Sequence, residues 1–307
     1  MTAADEIAAA VRAWLDGLDD EQRAAAVFPF DTNERFVWAY TPGIREGLAL
    51  RDMSPAQRDA ATAIVGVALS ERTAAEVASV IALETVLGAL EREGGRGGWT
   101  RRDPELYWFA VFGEPDARAP WSWRIGGHHV AIHVTLADGQ VIGSAPSFLG
   151  ANPAVVPFGP QVGFRALPGE ETLARTLLAG LTPDERSFAI VDDQAPADIL
   201  TENAARTDAR LIPVGIPYRD LAATARAVLE PRSSGRDLAP RGRPTRMRPR
   251  PARRPRCAPI RHLPRPAGLG RRSSGSAVRG PRGPWQSDRD TGSRPGSSGH
   301  PRAPRSR

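Results

Sequence analysis

The first apolar pattern in the chain has the period of a helix. Apolar residues recur three or four positions apart, at Ile7, Val11, Trp14, Leu15 and Leu18. Side chains at this spacing share one face of a helix, so the pattern predicts an amphipathic helix whose apolar face packs on the rest of the protein. The acidic run Asp19-Asp20-Glu21 predicts the start of a second helix.

Two longer helices follow. Ser54-Pro55 places a capping serine before a proline at the first helical position, and apolar residues at helical spacing extend this prediction over residues 54–69. A second pattern predicts a helix over residues 74–92, which ends at the glycine cluster 94–98. The two helices are predicted to form a hairpin.

Beyond residue 105 the apolar pattern becomes typical of β-strands. Aromatic and β-branched residues predict strands over residues 106–112, 121–125, 129–136 and 141–145. Asp138-Gly139 predicts a tight hairpin turn between the last two strands. These two strands are therefore expected to be antiparallel neighbours.

Four further segments complete the predicted fold. Residues 35–40 are rich in aromatic and β-branched residues and are predicted to open the sheet. Residues 170–181 and 218–229 predict helices, and residues 187–191 predict a strand. The predicted fold class is α+β, with a helical N-terminal part packed on a mainly antiparallel sheet.

The two ends of the chain differ in composition and charge. Residues 231–307 contain 21 of the 41 basic residues, 3 of the 35 acidic residues and 14 of the 29 prolines. Residues 1–230 hold the other 20 basic and 32 acidic residues, a net charge of −12. Because a stretch without an apolar pattern buries too little surface to offset its ordering entropy, we predict a globular domain over 1–230 and a disordered Arg/Pro/Gly/Ser-rich tail over 231–307.

Composition also narrows the expected partners and location. The acidic body gives no support for a specific nucleic-acid partner, and the tail arginines would bind any polyanion without sequence preference. Cys257 is the only cysteine, so residues 1–230 have no disulfide, thiolate metal ligand or cysteine nucleophile. No signal-peptide pattern occurs in residues 1–18 and no apolar run reaches ~18 residues, so a cytoplasmic protein without membrane contact is predicted. The oligomeric state stays open.

Three histidines are the clearest chemical clue. His128, His129 and His133 are the only histidines of residues 1–230. On one strand, four residues at ~3.3 Å each would separate His129 from His133 by about 13 Å, too far to bind one ion. A site at His128 and His129, as general base or as ligands of a divalent metal, would then need further ligands. The carboxylates considered are Glu84, Asp103 and Glu105. The alternative is that the histidines are ordinary core and surface residues.

Other residues could contact a ligand. Trp123 and Arg124 are candidates for a wall against an anionic or planar small molecule or a peptide, with core packing as the alternative for the tryptophan. Asn152 either lines a cleft or belongs to a structural turn. Glu84 lies alone in an apolar helical run, so it is paired with Arg124 or Arg165, functional, or exposed at the edge of the helix.

Known catalytic motifs are missing from the sequence. Residues 143–147 contain Gly-Ser-Ala-Pro-Ser, which lacks the second glycine of a nucleophile elbow. The chain has no phosphate-binding loop, no dinucleotide fingerprint and no paired zinc motif. The sequence therefore assigns no reaction.

Several unusual motifs lie between residues 102 and 154. They are Arg102-Asp103-Pro104-Glu105-Leu106-Tyr107, Phe112-Gly113-Glu114-Pro115, Trp121-Ser122-Trp123-Arg124-Ile125-Gly126-Gly127-His128-His129 and Ser144-Ala145-Pro146-Ser147-Phe148-Leu149-Gly150-Ala151-Asn152-Pro153-Ala154. On these motifs the chain resembles the DUF3500 family over roughly residues 10–230. The resemblance implies a domain of unknown function and adds no mechanism.

The chain departs from the family pattern in two ways. Family members continue to a second histidine-containing segment with a Trp-Arg-Asp element, which residues 231–307 do not resemble. They also tend to have serine and asparagine where Ala131 and His133 stand here. Because the resemblance ends where the composition changes, we hypothesise that a frameshift replaced the C-terminal part of the family domain, which would remove core strands and part of the site.

Three hypotheses of function follow from the sequence. The first is an enzyme of unassigned reaction, with metal-assisted hydrolysis or oxidation as the candidate classes, His128 and His129 as general base or metal ligands, and Arg124 as an anion contact. The second is a non-catalytic module that binds a small molecule or peptide. The third is a non-functional frameshifted product, which would aggregate through uncovered strand edges.

Overall fold

The computed structural model describes residues 2–95, 101–115, 118–199, 201–206 and 214–233. Its helices are α1 (Ala3–Asp16), α2 (Asp20–Ala26), α3 (Pro55–Ala68), α4 (Glu71–Glu93), α5 (Pro168–Gly180), α6 (Pro183–Ala189) and α7 (Ala223–Ser233). Its strands are β1 (Val27–Phe28), β2 (Leu48–Ala49), β3 (Tyr107–Phe112), β4 (Trp121–Gly127), β5 (Val130–Ala137), β6 (Gln140–Gly143) and β7 (Ser147–Leu149). Apart from the end of α7, the predicted disordered tail lies outside the described residues.

Side-chain caps define where the N-terminal helices begin. The side chains of Thr2, Asp19 and Ser54 each accept a hydrogen bond from the backbone amide three residues later. The side chain of that later residue in turn accepts a hydrogen bond from the backbone amide of the capping residue. These reciprocal bonds satisfy amides that have no partner within the helix. The predicted helices at these positions are confirmed, as is the long helix α4.

The strands form one mixed, mostly antiparallel sheet. Its order is β1-β3-β4-β5-β6, with β2 also paired to β3 and β7 also paired to β5. The β1–β3 pair is parallel, and the other pairs are antiparallel. The α+β fold class predicted from the sequence is therefore confirmed.

The hairpin predicted between β5 and β6 is also confirmed. Asp138 and Gly139 connect the two strands with φ angles of 51° and 67°. A two-residue turn with positive φ at both positions has the backbone twist that neighbouring antiparallel strands need.

Alternation along the strands gives the sheet two different faces. One face carries large apolar side chains, including Trp121, Trp123 and Ile132, which pack with α1, α3 and α4 into the main hydrophobic core. The opposite face carries Trp108, Phe112 and Arg124, and the segment 33–46 covers part of it. The central strands are therefore buried on both sides.

Two predicted strands are wrong. Within residues 35–40 the chain forms a 3₁₀ turn (Asn33–Phe36) and then irregular backbone, because β1 and β2 occupy the edge of β3. The segment 187–191 instead contributes to α6, where Pro183 follows the N-cap Thr182 and a capping box starts the helix. In both places the aromatic and β-branched content was a weaker signal than local capping and tertiary pairing.

The C-terminal helices have a small core of their own. Leu181, Leu221 and Ala225 are buried together, and α5 contacts α7. The predicted helix at 170–181 is confirmed, whereas the one at 218–229 is a 3₁₀ turn (Tyr218–Asp220) followed by α7.

Helix α4 bears on the expectation that the chain has no segment apolar enough to cross a membrane. Among the described residues it is the helix whose length and composition would permit it to cross a membrane. It also carries buried residues that pack in the main core, among them Val77, Val80 and Leu83. Such a helix is equally typical of a protein core, so the observation is weak support for a membrane span.

Candidate functional site

Two of the three histidines form a turn rather than part of a strand. His128 and His129 connect β4 to β5, and His129 has a φ of 60°. Backbone hydrogen bonds fix this turn: the His129 amide donates to Tyr40 O at 2.9 Å, and the Gly150 amide donates to His129 O at 2.9 Å. The expectation that His129 and His133 lie on one strand is therefore wrong, because β5 begins at Val130.

Glu84 of α4 binds His128 directly. Its Oε1 lies 2.5 Å from Nδ1 of His128, and the two side chains are 4% and 10% exposed. The carboxylate oxygen accepts a hydrogen bond from Nδ1–H, and the imidazole tautomer with a proton on Nδ1 has its lone pair on Nε2. The partners expected for Glu84, Arg124 and Arg165, are wrong, because His128 takes this position.

The backbone of His128 is held from the opposite strand. The hydroxyl of Tyr107 donates to His128 O at 2.9 Å. Gly127 makes this approach possible, since a Cβ there would lie 2.3 Å from the tyrosine ring. Burial is the main cause that raises the pKa of Tyr107, so its hydroxyl stays a donor.

Arg102 adds a positive charge beside the histidine. Its Nη1 lies 3.4 Å from both ring nitrogens of His128, and its Nη2 pairs with Glu91 Oε1 at 2.7 Å. The hydrogen bond and charge of Glu91 raise the pKa of Arg102, so the guanidinium stays charged. His128 therefore lies between a carboxylate and a guanidinium.

The ring of His129 supports that of His128. The two ring centroids are 4.0 Å apart with 27° between the planes. Burial, followed by the charges of His128 and Arg102, lowers the pKa of His129 to about 4, so it is neutral near pH 7. Gly150 packs against it, because a Cβ at this glycine would meet His129 Cγ at 2.9 Å.

Glu84 and His128 line a pocket of about 180 Å³. The loop Pro42-Gly43-Ile44 contributes to it, as do Leu106 and Trp108 at the start of β3. Three charged residues complete the lining: Arg51, Arg101 and Asp103. The cavity thus combines apolar surface, one buried Glu–His pair and charged groups.

Arg124 does not reach this pocket. Its Nη1 donates to Val37 O at 2.6 Å and to Glu34 O at 3.1 Å. Its Nη2 donates to Glu34 Oε1 at 2.8 Å and to Glu46 O at 3.0 Å, and the guanidinium lies over the ring of Phe112. At 4% exposure, the side chain ties the segment 34–46 to the sheet.

Three other candidates are also outside the pocket. Trp123 is 1% exposed in the main core, and Asn152 is exposed in the segment after β7. His133 Nε2 lies 2.8 Å from Ser122 Oγ, and burial is the main cause that lowers the pKa of His133 to about 3. The structure therefore brings together Glu84, His128 and His129 but not these residues.

The described residues contain no group of three His, Cys, Asp or Glu side chains placed to hold a metal ion. Of the carboxylates considered as ligands, Asp103 pairs with Arg51 and Glu105 pairs with Arg58. His128 and His129 stack almost in parallel, so their nitrogen lone pairs, which lie in the ring planes, do not converge on one point.

Several residues of the site were missed by the sequence reasoning. Arg51, Arg101, Trp108 and Ile44 line the pocket, although no motif separates them from ordinary surface or core residues. Tyr107 belongs to one of the unusual motifs, which is the signal that could have identified it.

Comparison with known proteins gives one match. A family model described as "Protein of unknown function (DUF3500)" matches residues 1–231. The match ends where the composition of the chain changes. Neither a curated protein nor a solved structure matches the chain.

Proposed function

The chain belongs to the DUF3500 family, a family of unknown function, and we propose that it is an enzyme whose general base is His128. The observation that carries the proposal is the buried contact between Glu84 and His128 in the wall of a pocket. A carboxylate that accepts from Nδ1–H fixes the tautomer and orientation of an imidazole and stabilises the imidazolium that forms when Nε2 takes a proton.

The chemistry follows from the roles of the two ring nitrogens. Nε2 of His128 accepts a proton from a bound small molecule, or from a water molecule that attacks the bound small molecule. Glu84 stabilises the positive charge that develops on the ring and offsets the repulsion from the Arg102 guanidinium, which lies 3.4 Å from both ring nitrogens. His129 stays neutral and holds the ring plane by stacking, which makes it a positioning residue.

The test uses small chromogenic substrates, with p-nitrophenyl acetate and p-nitrophenyl benzoate as the first pair. We expect His128→Ala to lower the rate by about 100-fold or more, because a positioned general base contributes about 10²–10⁴-fold. Glu84→Gln is expected to lower it by about 10-fold or more. His133→Asn, which alters a buried histidine outside the pocket, is the control and keeps the rate. An unchanged rate in His128→Ala would contradict the proposal.

A second measurement does not depend on the substrate. Diethyl pyrocarbonate acylates neutral histidine nitrogens, so His128 is expected to react faster than the buried His133, as located by peptide mass spectrometry. Glu84→Gln should slow the reaction at His128 and leave that at His133 unchanged. If His128 is as unreactive as His133, its Nε2 is not an available base.

A binding module without catalysis is the second candidate. The apolar part of the pocket favours it, since Ile44, Leu106 and Trp108 would bind a small ligand without any proton transfer. This candidate predicts ligand affinity that persists in His128→Ala, with no turnover in the wild-type chain.

Three further predictions from the sequence stay predictions. A divalent metal at His128 and His129 would be detected by elemental analysis of the purified chain, with loss in the two alanine variants. A non-functional frameshifted product would aggregate, which light scattering measures. A cytoplasmic location is testable by cell fractionation.

A further inference from the structure

We infer that the pocket binds a small molecule with an apolar body and one anionic group, and that Arg101 is the contact for the anion. This inference names the substrate class of the site under "Proposed function" and rests on that proposal. Arg101 takes the place of Arg124 as the anion contact, because all four hydrogen bonds of Arg124 go to groups of the chain itself.

Arg101 is the charged residue of the pocket lining that is available to bind an anion, because the other charged lining residues are paired with each other or with His128. Arg51 is paired with Asp103, and Glu84 is bonded to His128. In contrast, no carboxylate of the described residues forms an ion pair with Arg101. Arg101 is exposed at the pocket, and the planar fork of a guanidinium without a carboxylate partner suits a carboxylate or a phosphate ester.

The apolar part of the ligand follows from three side chains. Leu106 and Trp108 line the pocket, and Ile44 on the facing loop is 89% exposed. An isoleucine this exposed beside a cavity gains burial when an apolar body fills the cavity. A charged molecule without an apolar part, such as inorganic phosphate, would leave this surface in water.

The size of the cavity limits the ligand. A pocket of about 180 Å³ accommodates a molecule of about one ring rather than a polymer segment. Arg101 and His128 line the same small cavity, so a molecule held by the first lies in the cavity that His128 lines. The proton that His128 takes is then close to the apolar body.

The experiment measures binding of benzoate to the full chain by calorimetry at low salt. Benzamide, which has the same ring without the charge, and phenyl phosphate are the comparison probes. Arg101→Gln is the test variant, and Arg175→Gln is its matched control, since that arginine is 77% exposed and lies outside the pocket. The tail arginines are present in every variant, so their contribution cancels when variants are compared with the same probe.

We expect benzoate to bind at least 10-fold more tightly than benzamide and Arg101→Gln to lose at least 10-fold in benzoate affinity. Arg175→Gln should stay within twofold of the wild type. The Cε1–H signal of His128 in NMR spectra, assigned with His128→Ala, should shift on addition of benzoate. Phenyl phosphate with the higher affinity would identify a phosphate ester as the anion and support the same assignment of Arg101.

Equal affinity for benzoate and benzamide, unchanged benzoate affinity in Arg101→Gln, or no binding of benzoate at millimolar concentration would each overturn the inference. These results are separable from failure of the proposed function. A chain that binds benzoate through Arg101 but keeps its turnover in His128→Ala has the inferred ligand site without the proposed base. If turnover needs His128 but benzoate affinity is unchanged in Arg101→Gln, the proposed base is present and the pocket binds a different class of ligand.

Discussion

Glu84 Oε1 lies 2.5 Å from His128 Nδ1, although 44 residues separate the two positions in the chain. Helix α4 packs against the sheet near the β4–β5 turn, and this packing brings the pair together. Both side chains are nearly buried, so each depends on the other for its hydrogen bond.

Glu84→Ala should therefore lower the free energy of unfolding by about 1–3 kcal/mol, because it leaves the buried imidazole donor without its acceptor. Urea unfolding at pH 7 measures the change. Glu93→Ala, at the exposed end of the same helix, is the control and should change stability by less than about 0.5 kcal/mol. If the effects of Glu84→Ala and His128→Ala on the free energy of unfolding simply add in the double variant, the contact between the two side chains does not stabilise the fold.

Arg124→Ala should lower the free energy of unfolding by about 3–5 kcal/mol. It removes one buried ion pair with Glu34 and leaves the carbonyl groups of Val37 and Glu46 without their donor. Urea unfolding again provides the measurement, with Arg175→Ala as an exposed control expected within about 0.5 kcal/mol. Wild-type stability in Arg124→Ala would mean that the segment 34–46 does not need this anchor.

The stability of the chain should fall as the pH drops below about 6.5. The pKa of His133 is lowered to about 3, mainly by burial, with the charges of Arg124 and Arg35 adding to the effect. Between pH 6.5 and 3 the unfolded chain binds a proton at His133 that the folded chain does not, so unfolding becomes easier at lower pH. At about 1.4 kcal/mol per pKa unit, the loss that His133 alone contributes from pH 7 to pH 4.5 is at most about 3 kcal/mol.

His133→Asn tests this directly, because asparagine keeps a polar group beside Ser122 and does not titrate. Urea unfolding at pH 7 and pH 4.5 should show a smaller pH-dependent loss in the variant than in the wild type. His129, whose pKa is lowered to about 4, contributes with the same sign and remains in both chains. An identical loss in the two chains would contradict the role of His133.

Gly127→Ala should destabilise the fold by about 1–3 kcal/mol. The added Cβ would meet the buried ring of Tyr107 at 2.3 Å and Leu106 O at 2.9 Å, which forces one of the two strands to move. The matched control is Gly66→Ala in α3, where the added Cβ meets nothing within 4 Å and alanine is expected to stabilise the helix by about 0.5–1 kcal/mol. Thermal unfolding of both variants measures the difference.

Local signals in the sequence were sufficient for much of the fold. Ser54-Pro55 identified the start of α3, and Asp138-Gly139 identified the β5–β6 turn, because capping and tight turns depend on residues a few positions apart. The same kind of signal failed for residues 35–40. Their aromatic and β-branched content predicted a strand, but pairing of β3 with β1 and β2 decided the outcome.

The site was only partly predictable for a similar reason. The sequence identified His128, His129 and Glu84 as candidates, yet the contact between Glu84 and His128 depends on how α4 packs against the sheet. Arg124 next to the histidines suggested an anion contact, whereas its guanidinium is bound by the backbone carbonyl groups of Glu34, Val37 and Glu46. Arg101 and Ile44 carry no motif, so only their place around the cavity identifies them.

Within the part of the chain that the structure describes, the residues that line the pocket all lie between positions 42 and 128. A ribosome has therefore polymerised every one of these groups before it reaches the codons for β5. A shift of the reading frame beyond residue 230 would leave these groups encoded as they are, and any effect on the pocket would come through the side chains and the packing that later segments supply.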